Sequence, residues 1–78
     1  MVKRKASPLR RILAENIRVE RARQRIAQEE LAQRAAVSRV YMGAIERAES
    51  ACTIDVMHRI AQALRVEPAD LVTPLKRR

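Results

Sequence analysis

Apolar residues recur along this chain at helical rather than strand spacing. Leu9, Ile12, Leu13 and Ile17, with Val19 at the edge, describe one stripe, and Ser7-Pro8 reads as its N-cap and first helical position. That helix is expected to end near Gln24. Leu31, Ala32 and Ala35 give a second, shorter helix from about Gln28 to Ala35. Ser38 restarts the pattern as an N-cap, and Met42 and Ile45 carry the stripe of a third helix from Arg39 to about Ala48. Thr53 is the expected cap of a fourth, with Ile54, Met57, Ile60, Ala61 and Leu64 on one face. Pro68 opens a short fifth helix through Leu71 and Val72, and Pro74 stops it. No repeat, low-complexity tract or glycine-rich phosphate loop interrupts this order.

Composition agrees with the pattern. Hydrophobic residues make up 47% of the 78 residues, yet Tyr41 is the only aromatic, so the core has to be aliphatic. Strands lean on aromatic and β-branched side chains, whereas Ala, Leu, Arg, Glu and Gln favour helix. The expected fold is all-α: one compact bundle of about five short helices. A domain this small is marginally stable by itself, and dimerisation would help it.

The formal net charge of +8 is unevenly distributed. Lys3, Arg4, Lys5, Arg10 and Arg11 crowd the start, and Lys76, Arg77 and Arg78 the end. The nine basic residues between Ile12 and Leu75 are balanced by nine acidic ones. The expected organisation is therefore a disordered basic arm over residues 1–8, a domain over 9–73 and a basic tail over 74–78. The ends read either as solvated termini or as phosphate-binding segments that add affinity without sequence discrimination. Arg10 and Arg11 fall in a first helical turn, where the helix dipole disfavours cations. Either positive charge is wanted there, or the helix begins later.

The most informative stretch is QEELAQRAAVSRVYMGAIER, residues 28–47. Two short helices meeting at a small-residue junction, the second presenting Arg39, Val40, Tyr41 and Arg47, are the parts of a helix-turn-helix DNA reader. The outward positions of the second helix are Arg39, Val40, Gly43, Ala44 and Arg47, with Tyr41 at the margin. An arginine can hold guanine O6 and N7 through two hydrogen bonds, which makes Arg39 the leading candidate for base reading. Val40 suits a thymine methyl, and the Tyr41 hydroxyl a phosphate. Gly43 and Ala44 would let backbones approach. Each has a plainer alternative: Arg39 and Arg47 as a solvated face, Tyr41 as part of the core.

QEELA, VSR and IER, followed by RIAQAL and EPADLV, resemble the lambda-repressor-like (XRE, or Cro/CI-type) helix-turn-helix family over about Leu13 to Val72. SRVYMGAIER further resembles the recognition helix of restriction–modification controller proteins, a small dimeric branch of that family. The resemblance implies a regulator of transcription that binds double-stranded DNA as a homodimer on a near-palindromic operator. It implies that Gln28 contacts a phosphate and that Ser38 belongs to the DNA-facing set. It also implies that Glu46 pairs with Arg21, a partly buried structural ion pair rather than a catalytic carboxylate. Val66, Leu71, Val72 and Leu75 are candidate dimer contacts, with sealing of the monomer core as the alternative. Glu29 and Glu30 either stabilise a helix N-terminus or form an acidic patch for RNA polymerase.

The chain departs from the family pattern in three places. Where the family places glycine after its first four helices, this chain has Arg25, Ala36, Ala48 and Arg65. Ala27 stands where a Ser or Thr usually caps the second helix. Ser50 and Ala51 replace the basic residue and Asn that follow the controller recognition helix. Competing functions on the same fold are an antitoxin that represses its own operon while binding a toxin, and a protein-interaction domain that has lost DNA binding. An enzyme is not expected: His58 and Cys52 are the only residues of their types, and neither has the neighbours of a catalytic or metal set. No cofactor is expected. A single thiol forms no internal disulfide, and no apolar run is long enough for a signal peptide or membrane span. A cytoplasmic location is therefore expected.

Overall fold

The computed structural model describes residues 6–77. Five α-helices follow one another there: α1 (Pro8–Gln24), α2 (Gln28–Arg34), α3 (Arg39–Glu46), α4 (Ile54–Leu64) and α5 (Pro68–Leu71), then a single 3-10 turn over Leu75–Arg77. No strand occurs among the described residues, so the chain is the expected all-α bundle. Ser7 caps α1 by accepting from the Arg10 amide at 3.1 Å, with Pro8 in the first turn. These two residues therefore belong to the helix rather than to the arm. Of that arm, Met1 to Lys5 lie outside the described residues, as does Arg78 at the other end. Arg10 and Arg11 do occupy the first turn. The Arg11 guanidinium turns back to donate to the Ala6 carbonyl at 2.7 Å.

Leu13, Ile17, Ile26, Leu31, Ala35, Met42, Ile45, Ile60, Leu64 and Leu71 form one aliphatic core. α1 packs on α3 and α5, α2 on α3 and α4, and α4 on α5. Leu71 is fully buried in this core. It serves the protomer and is not available for a dimer contact. Two expected core positions are also outside. Ile54 is 78% exposed because it lies roughly a quarter turn from the centre of the buried face of α4; Val56 takes the buried place instead. Leu9 is 55% exposed: it lies one turn beyond Leu13, past the edge of the layer beneath.

All four turns that lack glycine are left-handed. Arg25, Ala36, Ala48 and Arg65 have φ of 55°, 57°, 60° and 59°. Each ends its helix in the same two-bond pattern: Ile26 N to Arg21 O with Arg25 N to Ala22 O, and likewise at Val37, Glu49 and Val66. The next residue drops onto the core at three of these turns, as Ile26, Val37 and Val66. Burial of that residue offsets the cost of a β-carbon in the left-handed region, about 1–2 kcal/mol per turn.

Polar side chains tie the helices together from within. Asn16, buried on α1, donates to the Leu71 carbonyl at 2.9 Å and the Thr73 carbonyl at 2.8 Å. Gln24 donates to Leu64 O at 2.6 Å and Arg59 to Ala35 O at 2.8 Å. Arg21 faces Glu46 with two parallel bonds of 3.0 Å and donates a third, also 3.0 Å, to the Ile26 carbonyl. The implied ion pair is thus present, with the Glu46 side chain 3% and the Arg21 side chain 24% exposed.

Two outcomes follow for stability. In urea denaturation, Arg21→Ala should cost about 3 kcal/mol, since it strands the buried Glu46 carboxylate, and Glu46→Ala should cost less, because Arg21 is partly exposed and keeps the Ile26 carbonyl. The double variant should fall short of the sum by more than about 1 kcal/mol; additive losses would refute the coupling. Ala36→Gly, at an exposed left-handed position, should stabilise by about 0.5–1 kcal/mol after the extra backbone entropy of glycine is subtracted. That corresponds to a melting temperature about 2–8 °C higher.

Candidate nucleic-acid interface

α2, the turn after it and α3 place the candidate residues. Ser38 caps α3 by accepting from the Tyr41 amide at 3.0 Å, so its side chain fixes where the helix begins. α2 starts at Ala27 without a side-chain cap, as the substitution there implies. Met42 and Ile45 are driven into the core, which forces Arg39, Val40 and Arg47 outward. Val40 is 81% exposed, an unusual place for a valine.

Gln28, Arg39, Val40, Gly43 and Arg47 surround one shallow depression of about 280 Å³ on the outer side of α3. The structure thus brings five of the eight expected positions together. Gly43 is the floor. A β-carbon there would stand 3.0 Å from Nη1 of Arg47 and 3.5 Å from Oε1 of Gln28. The missing side chain leaves room for the arginine to lie back along its own helix, beside the α2 glutamine. Arg47 is held in this pose by Glu49, whose carboxylate accepts from its Nε at 3.0 Å. Both partners are exposed, so the pair adds little stability and can open to a better anion. Nothing in the sequence pattern marks Glu49 for this role, because no periodicity rule links residues two apart across a helix end.

Three expected residues have other duties. Ser38 is the cap just described. Ala44 is half-buried and is not part of the depression. Tyr41 is half-buried against the core, and its hydroxyl donates to the Ala51 carbonyl at 3.0 Å, so it braces the loop after α3. Behind the helix, Arg18 donates to the Glu46 carbonyl at the end of α3. Cys52, in that loop, has its thiol pKa pushed up by burial. No group of three or more His, Cys, Asp or Glu among the described residues is placed to hold a metal, and no described helix is long and apolar enough to cross a membrane.

Two short helices locked at a tight turn, the second outward and cationic, define a helix-turn-helix DNA-binding domain. Comparison with known proteins agrees. Residues 12–75 match the helix-turn-helix domain family. Control protein C.SmaI of Serratia marcescens is 35% identical over 65 residues, 83% of this chain and 77% of that one. Among solved structures, the hypothetical transcription factor NHTF from Neisseria superposes with a TM-score of 0.87 at 29% identity, over 99% of this chain and 92% of that one. The restriction–modification controller protein C.AhdI from Aeromonas hydrophila gives 0.77 at 27%, over 80% and 94%. The chain belongs to the lambda-repressor-like, XRE-type helix-turn-helix family of DNA-binding regulators.

Gly43→Ala separates fold from site. A mid-helix alanine should stabilise the domain by about 0.5–1 kcal/mol, because the tight neighbour is only the end of a long side chain. The same change should displace the Arg47 guanidinium, visible as a shift of its Nε–H resonance. An unmoved Arg47 signal would show that the glycine does not seat it.

Proposed function

We propose that this chain is a sequence-specific transcriptional regulator that binds a near-palindromic operator as a homodimer, with one α3 in each of two successive major grooves. The observation that carries this reading is the convergence of Gln28, Arg39, Val40, Gly43 and Arg47 around one shallow depression on the outer side of α3. Arg39, in the first turn, is assigned a guanine and Val40 a thymine methyl, the pairings their shapes favour. Gln28 and Arg47 are assigned phosphate contacts that fix register. The pairing of Arg47 with Glu49 keeps that arginine in place until DNA displaces the carboxylate. Basic residues near the two ends add affinity that salt weakens. Similarity to C.SmaI and C.AhdI, named a control protein and a restriction–modification controller protein, supports a compact regulatory protein.

Binding to the DNA upstream of its own gene, against scrambled DNA of equal length and across a salt series, tests the proposal. Wild type should prefer the upstream site. Arg39→Ala should lose about 1–3 kcal/mol of discrimination per half-site and keep most of its binding to scrambled DNA. Equal binding of wild type to both DNAs would sink the reading.

A further inference from the structure

A groove of about 420 Å³ between the N-terminal ends of α1 and α4 is lined mainly by apolar side chains, with Arg10 as the only charged residue in its lining. Arg39 and Arg47 gather instead at the depression beside α3. Arg39 is placed by the Ser38 cap, which fixes where the helix begins. The placing of Arg47, at the other end, turns on the four carbonyls that the last turn of a helix leaves without partners. Three of them are met by the turn itself. Arg47 N donates to Gly43 O at 3.1 Å, Ala48 N to Ile45 O at 3.0 Å and Glu49 N to Ala44 O at 2.8 Å. The fourth is the Glu46 carbonyl, and Nη1 of Arg18, from α1, donates to it. A cation there is also favoured by the negative end of the helix dipole. The Glu46 carbonyl and the Arg47 amide belong to one planar peptide. That peptide is therefore held on both edges, by Arg18 at its oxygen and by the Gly43 carbonyl at its N–H, and the side chain of Arg47 starts from it.

We infer that Arg18 is a positioning residue for DNA reading: by holding the Glu46–Arg47 peptide, it sets the point from which Arg47 reaches the DNA. The inference rests on the DNA-binding role proposed above and adds to it a residue outside the helix-turn-helix. Arg21, one turn further along α1, cannot take over the task. Its guanidinium is engaged by the Glu46 carboxylate and the Ile26 carbonyl. Arg21 thus fixes the side chain of Glu46, and Arg18 its main chain. The core does not reach this peptide either: the residues after Glu46, from Arg47 to Ala51, are exposed or half-buried. Fixing Arg47 matters differently for different DNAs. A phosphate contact in one register requires the guanidinium in one place, and ordering a long side chain only on binding costs about two- to tenfold in affinity. Non-specific attraction to the polyanion tolerates a mobile cation, because it depends on charge rather than position. Loss of Arg18 should therefore cost discrimination more than gross affinity.

Binding to upstream and scrambled DNA over a salt series tests this, with Arg18→Met, Arg18→Lys, Arg47→Ala and Arg18→Met combined with Arg47→Ala. Arg18 and Arg47 are both exposed, so the variants should fold, which circular dichroism melts check. Arg18→Met should lower the preference for upstream DNA about two- to tenfold per half-site, with the salt slope on scrambled DNA unchanged. Arg18→Lys, which keeps a charged donor, should recover most of that preference. In the Arg47→Ala background, Arg18→Met should change the preference no further, because it acts through Arg47. The free protein gives a second readout. The Arg47 Nε–H resonance should shift in Arg18→Met and return towards wild type in Arg18→Lys. An unmoved Arg47 resonance or an unchanged preference overturns the inference, as does an effect that persists without Arg47. A salt slope flattened by about 0.9 per protomer on both DNAs overturns it too, and would make Arg18 a phosphate contact itself. A wild type without preference for upstream DNA would sink the proposed function, and the Arg47 resonance would then decide whether Arg18 places that side chain.

Discussion

The Glu46 carboxylate, at the end of α3, is the fixed point of this structure. Arg21 grips it from α1 with two parallel bonds and uses its remaining nitrogen to hold the Ile26 carbonyl, where the chain turns toward α2. Arg18, one turn earlier on α1, holds the Glu46 carbonyl itself. One helix thereby sets both members of the motif: the entry to α2 and the far end of α3. An apolar contact in the same place would bury as much surface but would not fix rotation about the α3 axis. The paired geometry of guanidinium and carboxylate does, and rotation about that axis decides which side chains face outward.

The four left-handed turns do related work at a cost. Each stops a helix abruptly and sends the chain back across the core within two residues. Without glycine, each carries steric strain of about 1–2 kcal/mol, which the burial of Ile26, Val37 and Val66 offsets at three of them. The turn at Ala48 is different, because Glu49 follows it. That residue faces solvent and pairs with Arg47. The one turn whose following residue is not spent on the core positions a cation on the outer side of α3.

Charge and hydrophobicity are segregated over the surface. The outer side of α3 gathers Arg39, Arg47 and Gln28, while the groove between α1 and α4 is almost uncharged. The loop after α3 joins them, and Tyr41 to Ala51 is its brace. A residue that looks from its sequence position like a DNA contact thus links the two faces.

Much of this was legible in the chain. Helix boundaries followed from caps and prolines, because Ser7, Ser38 and Thr53 satisfy amides three residues on, a purely local bond. The left-handed turns were marked by the positions where relatives carry glycine, and Arg21–Glu46 was implied by the same resemblance. The outward placement of Arg39 and Val40 was legible because periodicity alone separates that face of α3 from Met42 and Ile45. Tertiary structure decided what depends on residues distant in sequence. Periodicity says which side of a helix is apolar, not how far the neighbouring layer extends, so Leu9 and Ile54 read as core and stand exposed. It gives no hint that Asn16 closes the end of α5, that the Tyr41 hydroxyl is already engaged, or that Gly43 is a seat for Arg47. Local bonding and helical period are written in consecutive residues. Where layers end, and which polar groups find one another across them, is set only when the helices have packed.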